Sequence, residues 1–187
     1  MESCRTPSDA FSNYIDPLQR ALNLITVGRL VHVRNRRGIA VGSVETALFN
    51  NGNLAPINAG RLGTLSISAG FQFRIVHASD VDDQFRCKTV EYWYSFQDES
   101  EQELLTFHWT PEAQLPLRSY PHVHIGNTVA KGSSFLPERF HKLHIPTTPL
   151  SAAAIVRFAI EELDVQARPG MARDAVLEVL QESSLTS

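Results

Sequence analysis

The chain has 187 residues, of which 43% are apolar and 20% charged, and its formal net charge is −3. These values are ordinary for a globular domain with one hydrophobic core, and they exclude collagen-like, coiled-coil and disordered proteins. Cys4 and Cys87 are too few for a disulfide or cysteine–metal framework. No apolar stretch approaches the roughly eighteen residues of a membrane span, and the polar start lacks the apolar run of a secretion signal. We therefore expect a cytoplasmic protein with a single domain over residues 1–187 and no contact with a membrane.

The first third of the chain predicts two helices, a strand and a loop. Residues 1–15 are expected to form a loose arm or a short first helix. Asp16-Pro17-Leu18-Gln19 has the capping residues of a helix start. Residues 29–37 alternate valine with basic side chains, which favours a strand. Residues 43–49 predict a short helix, and residues 51–63, rich in Asn, Gly and Pro, predict a loop.

The middle of the chain carries the strongest strand patterns. Alternation of aromatic and polar residues indicates strands at Lys88–Phe96 and Leu104–Trp109, joined by an acidic turn at residues 98–103. Further extended segments are predicted at Leu65, Ile67 and residues 71–76, and at Tyr120–Gly126. Short connections between successive strands favour an antiparallel meander.

The end of the chain is predicted to be helical. Thr148 and Pro149 can open a helix whose apolar stripe has helical spacing. A second helix is expected at about residues 171–182. Together these patterns predict an α+β domain, with an antiparallel sheet of about four to six strands and helices packed on one face.

Histidines are concentrated in one segment: five of the seven lie between residues 108 and 144. His122 and His124 are two residues apart on a predicted strand, so both rings should lie on one face of the sheet. His108 lies on the neighbouring predicted strand, within reach of either ring if the strands pair. His141 and His144 are three apart, on one face of a helical turn if such a turn forms.

Because the unperturbed pKa of histidine lies near neutral pH, two paired imidazoles can act as general base and general acid. Such a pair is needed for the cleavage of RNA by its own 2′-hydroxyl. We therefore predict His122, His124 and His108 as catalytic residues in a reaction that needs no metal. Cations must stabilise the charge that develops on the phosphorus. The candidates for this substrate-binding role are Arg34, Arg36, Arg37, Lys131, Arg139 and Lys142. Additional candidates for the site are His141, His144 and Glu91.

Two alternatives remain open for the same histidines. A zinc ion held by His108, His122 and His124, or by two histidines and Glu91, would make the protein a metal-dependent hydrolase with one open coordination position. If the histidines are structural, the protein is instead a non-catalytic interaction module. Inhibition by a chelator separates the two enzymatic alternatives.

Aromatic residues crowd the two strands beside the histidines. Most of them are expected in the core, but one exposed Trp or Tyr would be able to stack a nucleobase. The set comprises Tyr92, Trp93, Tyr94, Phe96, Phe107 and Trp109.

Residues 88–163 resemble the TumE-like toxins of bacterial toxin–antitoxin modules. The resemblance rests on Glu91-Tyr-Trp-Tyr94, on His122-Val-His124, and on the order aromatic strand, acidic turn, second strand and closing helix. Residues 106–109 depart from the family's pattern, and the first 80 residues have no counterpart in it. The resemblance implies a small bacterial toxin that acts on RNA and has a cognate antitoxin as its partner.

Overall fold

A computed structural model describes residues 4–33, 39–78, 84–111, 119–126 and 144–172, together with residues 174, 176, 177 and 180. Its centre is an eight-stranded sheet in which neighbouring strands run antiparallel. The strands are β1 (Leu30–His32), β2 (Val44–Phe49), β3 (Ala55–Asn58), β4 (Thr64–His77), β5 (Phe85–Gln97), β6 (Glu103–Trp109), β7 (His122–Ile125) and β8 (Ile145–Pro146).

The sheet order is β1-β2-β4-β5-β6-β7-β8, and β3 pairs with β4 outside this path. The α+β class and the meander from β4 to β8 confirm the prediction. The expected count of four to six strands is too low, because the sequence predicts a helix at β2, a loop at β3 and no strand at β8. Both β2 and β3 are short strands that pair with the long β4.

Two helices are described in full, α1 (Pro7–Leu22) and α2 (Ala152–Glu162). The predicted start of the first helix at Asp16 is wrong, since Thr6 caps the helix by accepting a hydrogen bond from the Asp9 N–H. Residues 7–15 are therefore helical and not a loose arm. The predicted cap at Thr148 is also wrong, because Ser151 caps α2 through the Ala154 N–H. Residues 174, 176, 177 and 180 of the predicted second C-terminal helix are helical.

Both helices pack on one face of the sheet, as predicted. Phe11 and Tyr14 of α1 place their rings 5.4 and 5.3 Å from that of Phe73. Phe158 of α2 lies 5.1 Å from Phe107 in an edge-to-face arrangement. Aromatic pairs of this kind add to the hydrophobic energy of burial, which is the main term that holds the helices to the sheet.

The opposite face of the sheet carries the polar half of each alternating strand. No helix described here packs on this face. It bears Glu91 and Trp93 of β5, His108 of β6, and His122 and His124 of β7. The fold thus collects the candidate site on the face away from α1 and α2.

None of the helices among the described residues is both long and apolar enough to cross a lipid bilayer. Both cysteines are buried as thiols. Burial and the neighbouring Cys4 raise the pKa of the Cys87 thiol to about 12. The thiolate is the nucleophilic form, so Cys87 is not suited to nucleophilic chemistry.

A buried carboxylate anchors the start of β2. Glu45 is 3% exposed and accepts hydrogen bonds from the Ser43 hydroxyl at 2.6 Å and from Nε2 of His32 at 2.9 Å. Burial alone would raise the pKa of Glu45, but these hydrogen bonds and one from the Ala40 N–H outweigh it and lower the pKa. The ionised carboxylate therefore ties β1 and the turn before β2 together.

Replacing Glu45 by glutamine should lower the free energy of unfolding at pH 7 by about 1–3 kcal/mol, the range for a buried hydrogen-bonded group that loses its partners. A lowered pKa in the folded state means that the carboxylate stabilises the fold above its unfolded pKa of about 4.3. This contribution is lost as the pH falls through the folded pKa. Urea unfolding at several pH values should show the variant and the original chain converging in acid. Glu161→Gln, in a half-exposed pair with Arg157, is the control and should change stability by less than about 0.5 kcal/mol. An equal loss at pH 7 and pH 3 would contradict the prediction.

Candidate metal centre

Pairing of β6 with β7 places His108 directly opposite His122, and Thr106 opposite His124. Directly opposed residues share a face, so the three histidines form one cluster on the face away from the helices. Ring centroids lie 5.4 Å apart for His108 and His122, and 4.8 Å apart for His122 and His124. The structure therefore brings together the three residues that were predicted as catalytic.

His122 occupies the middle of the cluster and is 1% exposed. Its Nδ1–H donates a hydrogen bond of 2.8 Å to the backbone carbonyl of Tyr120. This bond places the proton of a neutral imidazole on Nδ1, so that Nε2 carries the lone pair that can accept a proton or a metal. Nε2 of His122 lies 3.0 Å from Nε2 of His124. A buried ring in direct contact with another histidine leaves no space for a substrate between the two.

His108 has the outer partner that metal-binding histidines typically have. Its Nε2 lies 2.9 Å from a carboxylate oxygen of Glu91 and 3.0 Å from the Thr110 hydroxyl. With the Nε2–H donated to Glu91, the other nitrogen, Nδ1, is available as a ligand. A carboxylate that orients a histidine in this way also raises its basicity toward a metal.

A cleft of about 360 Å³ opens beside the cluster. It is lined by His108, His124, Trp93, Glu103 and Thr106. His108 and His124 are thus accessible from the cleft, whereas His122 lies beneath them. The arrangement allows a small group to reach the cluster from one side.

His144 joins the cluster from the chain segment just before β8. Its ring centroid lies 4.4 Å from that of His124 and 4.7 Å from that of His122. Its Nδ1 is buried and has no hydrogen-bond partner in the described part of the chain. A buried nitrogen without a partner costs about 1–3 kcal/mol. An ion or a water molecule in the cluster would remove this cost.

The three histidines could hold a metal ion, and imidazole nitrogens are ligands that zinc accepts. One ring nitrogen from each of His108, His122 and His124 lies within 4.8 Å of the other two. Zinc–nitrogen bonds of about 2.0–2.1 Å in a tetrahedral site place the ligand nitrogens about 3.3 Å apart. The Nε2 atoms of His122 and His124, 3.0 Å apart, are close to this spacing. Three histidine ligands would leave a fourth coordination position for substrate or water.

Several predicted site residues lie outside the described part of the chain, so their distance from the cluster is not defined. They are Arg34, Arg36, Arg37, Lys131, Arg139, Lys142 and His141. Of the additional candidates within it, Glu91 bonds to His108 and His144 contacts two cluster rings.

Four residues of the site were not predicted from the sequence, among them Thr110, whose hydroxyl lies 3.0 Å from Nε2 of His108. Tyr120 contributes through its backbone carbonyl, for which side-chain patterns carry no signal. Thr106 and Glu103 line the cleft. The period of two along β6 places Thr106 on the same face as His108. Glu103 is three residues from Thr106 and lies at a register shift between β5 and β6, which the side-chain pattern does not indicate.

No protein-family model, no curated protein and no solved structure matches this chain.

Proposed function

We propose that the protein is a zinc-dependent hydrolase of RNA phosphodiesters whose metal is held by His108, His122 and His124. The observation that carries the proposal is the convergence of three ring nitrogens within 4.8 Å of one another. Two of the rings also have the outer hydrogen bonds that orient metal ligands, to the Tyr120 carbonyl and to Glu91. A zinc ion in a site of three histidines supplies a Lewis acid that polarises a phosphoryl oxygen or activates water.

The protein's own residues would do the remaining work. Glu91 holds the His108 ring in position, and the Tyr120 carbonyl selects the tautomer of His122. The cleft beside His108 and His124 admits the substrate from one side. RNA as the substrate is supported by the resemblance to TumE-like toxins, which also supports a cognate antitoxin as the partner protein.

A second candidate is the cleavage of RNA without a metal. The observation in its favour is that His108 and His124 both line the cleft, where one would act as base and the other as acid. His122 is too deeply buried to take part directly, so this mechanism replaces the predicted His122–His124 pair by His108 and His124.

The test measures metal content and RNA cleavage on the same purified protein. We expect one equivalent of zinc per chain, loss of cleavage on chelation and its return when zinc is added. Added zinc should also raise the thermal unfolding midpoint, because a ligand of the folded state at 100 times its Kd stabilises by about 2.7 kcal/mol. Cleavage that persists in the chelator would overturn the zinc proposal in favour of the metal-free pair. Absence of cleavage under either condition would leave the interaction module.

A further inference from the structure

Trp93 lies on the sheet face that carries the histidines, and its indole rests on the neighbouring strand β4. Gly70 of β4 is its direct register partner. A Cβ atom at residue 70 would overlap the six-membered ring of the indole. Glycine in a strand interior costs about 0.5–1 kcal/mol relative to alanine, and here it permits the close approach of the ring. The six-membered ring of the indole is therefore packed against the backbone of β4 at Gly70.

The same side chain also faces open space. Trp93 is only half-buried and lines the cleft of about 360 Å³ with His108 and His124. Trp109 provides the contrast, because its ring packs 5.7 Å from Tyr92 and its indole N–H donates to the Ser119 carbonyl. A ring that is held against the sheet and also lines a cleft can act as a stacking platform for a base.

The cleft has different chemistry at its two ends. Trp93 pairs in register with His108, and adjacent strands are about 4.8 Å apart. A planar group stacked on the indole would therefore have its substituents beside the histidines. Glu103, at the start of β6 and three residues before Thr106, lines the cleft toward the hairpin tip, and its carboxylate would repel a phosphate there. A phosphate is consequently favoured at the histidine end.

We propose that Trp93 stacks one unpaired base of single-stranded RNA and thereby places the adjoining phosphodiester at the histidine cluster. The identity of the polymer rests on the proposed function, whereas the platform rests on the packing of Trp93 over Gly70. A base within a duplex has both faces covered by its neighbours, so only an unpaired base can use the platform.

The inference is tested by binding in the presence of a chelator, which separates it from metal-dependent cleavage. The probe is a fluorescently labelled oligoadenylate of about eight nucleotides, followed by anisotropy. Trp93→Leu should weaken its binding by roughly 5- to 150-fold, the range for the loss of one base–aromatic stack. Trp93→Phe keeps a ring and should lose less. A duplex of the same length should bind the unaltered chain and the Trp93→Leu variant equally.

Intrinsic fluorescence gives a second readout. The chain has two tryptophans, so Trp109→Phe leaves Trp93 as the sole emitter. Saturable quenching by the single strand is expected if the base contacts the indole. Thermal unfolding of each variant checks that it is folded. The Trp109→Phe substitution is needed only for the fluorescence measurement, so the anisotropy experiment is done without it.

The outcomes distinguish this inference from the proposed function. If the single strand binds tightly in a Trp93-dependent way and the purified protein contains no zinc, the stacking inference is supported. Only the zinc-dependent proposed function is then overturned. Zinc-dependent cleavage together with equal binding by the folded Trp93→Leu variant overturns the platform alone. Quenching by an oligosaccharide such as maltohexaose, and not by the oligonucleotide, would also overturn it, because the ring would then stack a sugar.

Discussion

Replacing His122 by alanine is expected to weaken zinc binding by at least about 100-fold and to abolish RNA cleavage. Loss of an outer hydrogen bond to a metal ligand typically costs 10–100-fold in affinity or activity, and loss of the ligand itself should cost more. His122 has the largest effect because its ring contacts those of His108, His124 and His144. Competition with a chromophoric chelator measures the affinity, and a labelled RNA measures the cleavage.

Controls for this prediction use the other histidines of the chain. His77 is exposed at the end of β4, away from the cluster, so His77→Ala should bind zinc as the original chain does. His122 is buried, and its replacement by alanine also leaves a cavity. His124→Ala, at a half-buried position, therefore provides a second ligand variant with less risk to the fold. Undiminished zinc affinity in both folded variants would show that these nitrogens do not hold the metal.

The strands near the site were predictable because their side chains alternate with a period of two. Along β5 the pattern places Tyr92, Tyr94 and Phe96 in the core and Trp93 on the other face. The same period placed His122 and His124 together. The pairing of β5 with β6 was equally predictable from the sequence, because a short acidic turn joins the two strands and limits the registers that they can adopt.

The register between β6 and β7 was harder to predict from the sequence. Residues 110–121 connect these strands, and a connection of this length does not set the pairing as a tight turn does. The direct opposition of His108 and His122 therefore depends on the packing of the whole sheet. His144 enters the cluster because β8 pairs with β7, a contact for which the two-residue β8 shows no alternating pattern.

Predictions from helix propensity and capping patterns were wrong where strand pairing and core packing outweighed these local preferences. Residues 44–49 contain Glu, Ala and Leu, which favour helix, but pairing with β4 and β1 makes this segment a strand that buries Ala47 and Phe49. At the amino terminus, Thr6-Pro7 and Asp16-Pro17 are both capping patterns. The earlier one begins the helix, since a start at Pro7 allows Ala10 and Tyr14 to be buried. Pro17 is then accommodated inside α1.

Truncation of α2 on its buried side should destabilise the fold strongly. Ile155 and Ile160 are both completely buried in the core between α2 and the sheet. Replacing either by alanine removes apolar contacts and leaves a cavity, because the packed surroundings relax only in part. The free energy of unfolding should fall by about 2–5 kcal/mol.

The matched control lies on the exposed side of the same helix. Arg157 forms an i,i+4 ion pair of 3.0 Å with Glu161, and its side chain is 42% exposed. Exposed pairs of this kind contribute little, so Arg157→Ala should change the free energy of unfolding by no more than about 0.5 kcal/mol. Urea unfolding of the three variants measures the difference. Because α2 packs on the face opposite the histidines, Ile155→Ala should retain the zinc affinity of the original chain under conditions where it is folded. Similar midpoints for all three variants would contradict the burial of this helix face.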